Sequence, residues 1–220
     1  MLGDRIQTHI LSVRILPNAD PALLAKLGAR EGERSLGIFT TDCDDVSYAA
    51  LDEATKKAQV RVLYARSMYA GSSNASTRLA GEFIGILAGP EPEQVRAGLD
   101  AAAAYIAHDA AFYSADDADD VVYFAHCISR TGTYLSEQAD VPPGTAMAYL
   151  IAPPLEATVG LDAALKAAAV ELRVYYGPPS ETNFAGALLT GEQAACQAAC
   201  EAFADEVRRV AAEPLLDIRC

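Results

Sequence analysis

The sequence predicts an α+β chain of two tandem domains, residues 1–110 and 111–220. Three observations predict it: a duplicated helical segment, the same order of elements around each copy, and an Ala-rich helix closing each half. Leu51-Asp52-Glu53-Ala54-Thr55-Lys56-Lys57-Ala58-Gln59-Val60 returns 110 residues later as Leu161-Asp162-Ala163-Ala164-Leu165-Lys166-Ala167-Ala168-Ala169-Val170. Leu, Asp, Ala, Lys, Ala and Val coincide at six of the ten positions. An Ala-rich chain produces some of this by chance, so the context has to repeat as well.

It does repeat. In the first half, Ile6 to Leu16 alternates as a half-buried strand. A short helix follows, with Asp20 as N-cap, Pro21 at its first position and Gly28 as its stop. The apolar run Leu36 to Phe39 reads as a strand before the repeated helix, and Val60 to Tyr64 as a strand after it. A polar loop then leads to Ala80-Gly81, another apolar strand, and a helix from Glu93 to Ala107 announced by Gly89-Pro90-Glu91-Pro92. The second half offers Val121 to Ser129, Met147 to Ile151, the repeated helix, Val170 to Tyr176, a loop, Ala185-Gly186 and a helix from Glu192 to Ala211. No Gly/Ser-rich linker separates the halves, so they are expected to pack rigidly.

Composition narrows the function. A formal charge of −13, from 30 acidic and 17 basic residues, repels phosphate backbones and disfavours nucleic acid as a partner. The same field favours small cations. No stretch reaches the roughly 18 apolar residues of a membrane span, and Met1 to Arg14 does not read as a signal peptide. The five cysteines lack metal-finger spacing, which suits a reduced, cytoplasmic chain without a bound metal.

Two places break the repeat in a chemically pointed way. Asp42, Asp44 and Asp45 stand at the start of the first repeated helix, where carboxylates cap and favour a helix N-terminus. The second copy has Ala152, Pro154 and Leu155 there, so the fold does not require the acids. Glu82, at the start of a strand, likewise faces Ala187 in the second copy.

Ser35-Leu36-Gly37-Ile38-Phe39, the Leu-Asp-x-Ala-x-Lys-x-Ala-x-Val helix and Gly81 to Gly89 resemble the bacterial microcompartment shell domain. A strand at Ile10 to Leu16, opening the repeat instead of ending it, resembles the circularly permuted form. Asp42 to Val46, Tyr64 to Gly71, Ser129 to Gly132, Ala152 to Ala157 and Pro178 to Phe184 are similar to tandem-domain members of the ethanolamine-utilisation type. The resemblance runs from about Ile10 to Pro214.

It implies antiparallel sheets flanked by helices in a sandwich-like fold, and a structural role without catalysis or cofactor. It further implies a homotrimer whose domains form a pseudohexagonal plate, tiling with other shell proteins and passing small metabolites through pores. Asp44, Asp45, Glu82, Phe112, Glu181 and Thr182 match a small acidic pore at the junction of the two domains, which would take ethanolamine or a related amine. Carboxylates would hold the ammonium and Phe112 add a cation–π wall. Tyr69, Gly71, Ser72, Asn74, Pro179, Asn183 and Phe184 match central-pore loops. Lys56, Lys166 and Arg130 match tile-edge bases, with Lys56 and Lys166 each four residues before the Val taken to end its helix.

Two other readings compete. One is a metal-dependent enzyme built on the Asp42/Asp44/Asp45 group, yet no phosphate-binding Gly loop accompanies it. A small-amine sensor that does not tile is the second. His126 and Cys127 share a strand and point to opposite faces, so they make no dyad. Cys196 and Cys200 are expected to be buried neighbours on a packed helix face.

Overall fold

A computed structural model of the chain describes residues 1–67, 82–178 and 184–215. In chain order its elements begin with β1 (Arg5–Ile6), β2 (Ile10–Leu16), α1 (Pro21–Lys26), β3 (Ser35–Thr41), α2 (Asp44–Lys57), β4 (Arg61–Ser67), β5 (Phe83–Gly89) and α3 (Pro92–His108). They continue with β6 (Phe112–Ser114), β7 (Val122–Ile128), α4 (Thr133–Ala139), β8 (Met147–Ala152), α5 (Pro154–Ala167), β9 (Val170–Tyr176), β10 (Ala185–Gly191) and α6 (Gln193–Ala212).

Two compact units result. The first combines Gln7–Ala110 with Thr131–Pro143; the second combines Met1–Ile6, Ala111–Arg130 and Gly144–Cys220. A break between Ala110 and Ala111 is thus present, but residues 1–6 and 131–143 each join the unit built mainly from the other half.

The first unit holds an antiparallel sheet in the order β2-β3-β5-β4. On its helical side, α3 buries Val95, Leu99, Ala102 and Ile106, which fall on one stripe at helical spacing. Helix α2 packs beside it and buries Val46, Ala50, Leu51 and Ala54. Asp20 accepts a 2.8 Å hydrogen bond from the Ala22 N–H and caps α1 as its sequence predicts. Gly28 takes φ +72°, the left-handed turn that stops this helix. Leu24 and Leu27 then pack towards Leu36, Ile86 and Ala88.

The second unit carries an antiparallel sheet in the order β1-β6-β7-β8-β10-β9. Its helix α6 buries Cys196, Ala199, Cys200, Phe203 and Val207, again a single stripe, and packs along α5. The two cysteines are therefore small apolar core residues. Burial pushes the Cys196 thiol up to about 11 and Cys200 further in the same direction.

Three local expectations are corrected. The strand read from Ile6 to Leu16 divides: Arg5 and Ile6 pair with Tyr113 and Phe112 of β6, and β2 starts only at Ile10. Alternation cannot see this division, because it reports which face is buried and not which strand is the partner. Val60 does not end α2, whose last residue is Lys57; Ala58 is already extended. Val170 opens β9, which spans Val170–Tyr176 as the strand reading has it, and so does not end α5. The N-cap of α2 is Cys43, with no side-chain cap, so none of the three aspartates caps it. The ends of α3 and α6 agree with prediction to within a residue.

Candidate functional site

The acidic residues gather at the N-terminal end of α2. Asp44 and Asp45 occupy its first turn and are 7% and 5% exposed. Asp44 Oδ1 accepts from the Asp45 N–H at 2.9 Å, and Asp44 Oδ2 accepts from the Ser67 hydroxyl at 2.6 Å. Because the Ser67 proton goes to Asp44, the 3.0 Å contact between Ser67 Oγ and Tyr48 Oη requires the tyrosine to donate. Tyr48 Oη in turn accepts from the Ser67 N–H at 3.0 Å. A closed relay, Tyr48 to Ser67 to Asp44, thus fixes this carboxylate from the end of β4.

Asp42 is used differently. Its Oδ1 accepts from the His9 N–H at 2.7 Å and its Oδ2 lies 2.8 Å from His9 Nδ1. His9 is exposed and Asp42 half-buried, so the pair is a surface tie between the residue before β2 and the turn before α2. The Ser47 and Thr41 hydroxyls donate to the Cys43 carbonyl at 2.6 and 2.8 Å, which leaves the helix entry well satisfied. Burial, reinforced by the Asp45 charge, keeps the Cys43 thiol protonated.

Glu82 completes the group. Its N–H donates to the Thr41 carbonyl at 2.8 Å, so β5 enters the sheet directly beside the α2 turn. Its carboxyl pKa is raised, first by partial burial and then by the charges of Asp44 and Asp42. The fold therefore penalises the ionised form: the penalty is absent below the ordinary glutamate pKa and grows as pH rises through the raised one. Glu82→Gln should stabilise the protein at pH 7 by about 0.5 kcal/mol or less after solvent screening, and by nothing near pH 4. Urea unfolding at the two pH values measures this; an equal gain at both would refute a charge origin.

Phe112 belongs to the second unit. It is buried in β6 and stacks on Phe124 and Phe184 with ring centroids 5.4 and 6.0 Å apart. Glu181, Thr182, Pro179 and Asn183 lie outside the described residues, as do Tyr69, Gly71, Ser72 and Asn74. The structure thus brings Asp42, Asp44 and Glu82 within electrostatic reach of one another and places Phe112 in an aromatic stack of its own unit. Among the described residues, no group of three His, Cys, Asp or Glu side chains is arranged to hold a metal ion. No described helix is long and apolar enough to cross a membrane.

The edge bases differ from one another. Lys56 is 23% exposed; its ammonium lies 2.5 Å from Glu53 and 3.9 Å from Asp52, and 6.0 Å from the centre of the Tyr105 ring. Lys166 is 74% exposed and pairs only one helical turn back, with the exposed Asp162 at 2.5 Å. Arg130 is exposed just past β7.

One group that the sequence does not single out organises the first unit. Asp52 is fully buried and accepts from the Gly132 N–H at 2.6 Å and the Leu135 N–H at 2.9 Å. The Thr55 hydroxyl accepts from the Thr133 N–H at 3.0 Å and donates to the Asp52 carbonyl at 2.7 Å. Asp52 therefore caps α4 from another helix, and Tyr134 stacks on Tyr48 at 6.2 Å. Helix α4 has glycine at its own N-cap and no capping side chain, which is the only signal the sequence holds for this dock.

Comparison with known proteins fits this architecture. Residues 35–116 match the BMC domain family. The bacterial microcompartment shell protein EutL of Clostridium perfringens is 58% identical over 98% of this chain and 99% of its own length. EutL of Escherichia coli is 50% identical over 96% of this chain and 97% of its own. The crystal structure of the ethanolamine utilization protein EutL from Leptotrichia buccalis superimposes with a TM-score of 0.95 at 60% identity, covering 98% of this chain and all of that one. A full-length likeness at this identity, on the same paired α+β units, leaves one conclusion: the chain belongs to the BMC-domain family of bacterial microcompartment shell proteins, of the EutL type.

Proposed function

We propose that this shell protein works in the cytoplasm as a homotrimer whose six domains form a plate, and that plates tile with each other and with other shell proteins. The internal repeat supports the reading: two similar domains per chain and a closed three-fold leave six near-equivalent edges. Small metabolites would cross such plates, with Tyr69, Gly71, Ser72, Asn74, Pro179, Asn183 and Phe184 at a central pore. Asp44, Asp45 and Glu82, with Phe112, Glu181 and Thr182, would form a small pore that holds a primary ammonium such as that of ethanolamine.

The observation that carries the small pore is the gathering of Glu82, whose N–H is bonded to the Thr41 carbonyl, with the buried Asp44 and with Asp42 at the entry to α2, where the carboxylates act on one another. Carboxylates that repel one another gain when a cation enters among them. At a ceiling of about −1.5 kcal/mol per non-hydrogen atom, a molecule the size of ethanolamine gains about −6 kcal/mol. That corresponds to a Kd of roughly tens of micromolar at best, which suits transit or sensing better than storage.

Calorimetry tests the assignment. Ethanolamine should bind at pH 7.5 and lose affinity as pH falls through the raised Glu82 pKa, before an ordinary glutamate would protonate. Glu82→Gln should weaken binding by about tenfold at pH 7.5, the cost of one charged hydrogen-bond partner. Unchanged binding in both Glu82→Gln and Asp45→Asn would sink the small pore while leaving the shell role untouched.

A further inference from the structure

The repeat makes Lys56 and Lys166 equivalent in sequence, and the structure makes them unequal. The Lys56 ammonium is committed inside its own unit: it lies against Glu53, beside the buried Asp52 and near the Tyr105 ring. Reaching out to a neighbouring molecule would take a countercharge away from a carboxylate that is fully buried. Lys166 gives up only a solvent-exposed, one-turn ion pair, which is worth little.

The helix faces around the two bases differ in the same sense. On α2, Asp52 and Thr55 are occupied by the backbone of α4. The matching positions on α5 are Asp162 and Leu165, and both are exposed. Leu155 is exposed too, two turns before Asp162 and hence on the same stripe. This stripe, Leu155, Asp162, Leu165 and Lys166, joins two apolar side chains to one charge of each sign. Such a set is self-complementary: in a two-fold arrangement the lysine of one copy faces the aspartate of another, with the leucines covered between them.

We infer that contacts between copies of this chain are carried by the α5 edge and not by the α2 edge, where Lys56 serves as an internal partner of Asp52. The inference rests on the tiling reading and sharpens it: the six edges of a plate become three adhesive and three passive ones. The occupant of the α5 face is a second copy of this chain.

Sheet formation by the full-length protein, followed by electron microscopy and by the pelletable fraction, tests it together with thermal melting. Lys166→Ala should cut the pelletable sheet by about tenfold, as loss of a central interface residue does, without moving Tm. Lys56→Ala should leave sheets intact and lower Tm by about 2–4 °C, the shift expected for roughly 1 kcal/mol in a protein of this size. Lys166→Glu should also abolish sheets, and Asp162→Lys combined with Lys166→Glu should restore them. Persistence of sheets in Lys166→Ala, or failure of the exchanged pair to restore them, overturns the inference. Equal loss of sheets in both lysine variants at unchanged Tm overturns the inequality of the edges alone. A wild-type protein that forms no sheets overturns the tiling reading itself, and the edge assignment with it.

Discussion

Asp52→Ala is expected to lower the unfolding free energy by about 3 kcal/mol, the largest effect of any single side-chain truncation outside the apolar core. The carboxylate is fully buried and takes the Gly132 and Leu135 amides, two of the N-terminal donors that α4 has no other means of satisfying. Its loss orphans both amides and removes the buried carboxylate that lies 3.9 Å from the Lys56 ammonium. Urea unfolding measures the total, and hydrogen exchange at Gly132 and Leu135 localises it. Acidification should not imitate the variant. Burial raises the Asp52 pKa against the pull of the two amides and Lys56, so the folded state gains proton-linked stability as pH falls. Unaltered exchange at both amides in the variant would remove Asp52 from its capping role.

Gly132→Ala should be nearly as costly, by a different route. A Cβ here would overlap the Thr55 hydroxyl and the Asp52 carbonyl, and would sit 3.0 Å from Asp52 Oδ1. The carbonyl is α2 backbone and cannot step aside, so α4 must lift off its dock. Overpacking of this kind costs about 1–3 kcal/mol, with the upper end expected because the obstacle is main chain. The two lesions strike one dock, and the double variant should therefore lose clearly less than the sum of the singles. Additive losses would mean that Asp52 and Gly132 contribute independently.

Most of the regular structure was legible because its signals are local. The stop at Gly28, the cap at Asp20 and the apolar stripes of α3 and α6 depend on residues within a few positions of each other. The candidate site was legible in outline. Asp44, Asp45 and Glu82 stood out because the second copy of the repeat lacks them, and the structure brings Asp44 and Glu82 close enough to interact. Tyr48 and Ser67 were not legible. A hydroxyl relay across 19 residues of chain leaves no spacing or composition to read.

The repeat was legible, and its limits were not. From sequence, Asp52 and Asp162 are the same residue twice. In the structure one is a buried cap and the other an exposed partner of Lys166. What separates them is a contact between residues 80 and more positions apart, which brings α4 onto α2. Here α1 is capped by the neighbouring Asp20 while α4 borrows its cap from α2, and residues 131–143 belong to the first unit.

The sequence by itself determined the duplication, the α+β elements of each half and the shell-protein resemblance, because periodicity, caps and repeated motifs are written in neighbouring residues. Only the tertiary structure decided which copy of each repeated side chain is buried, which carboxylates repel one another and which lysine remains exposed. Burial and pairing are set by whichever distant segment arrives to exclude water, and no local pattern names that segment.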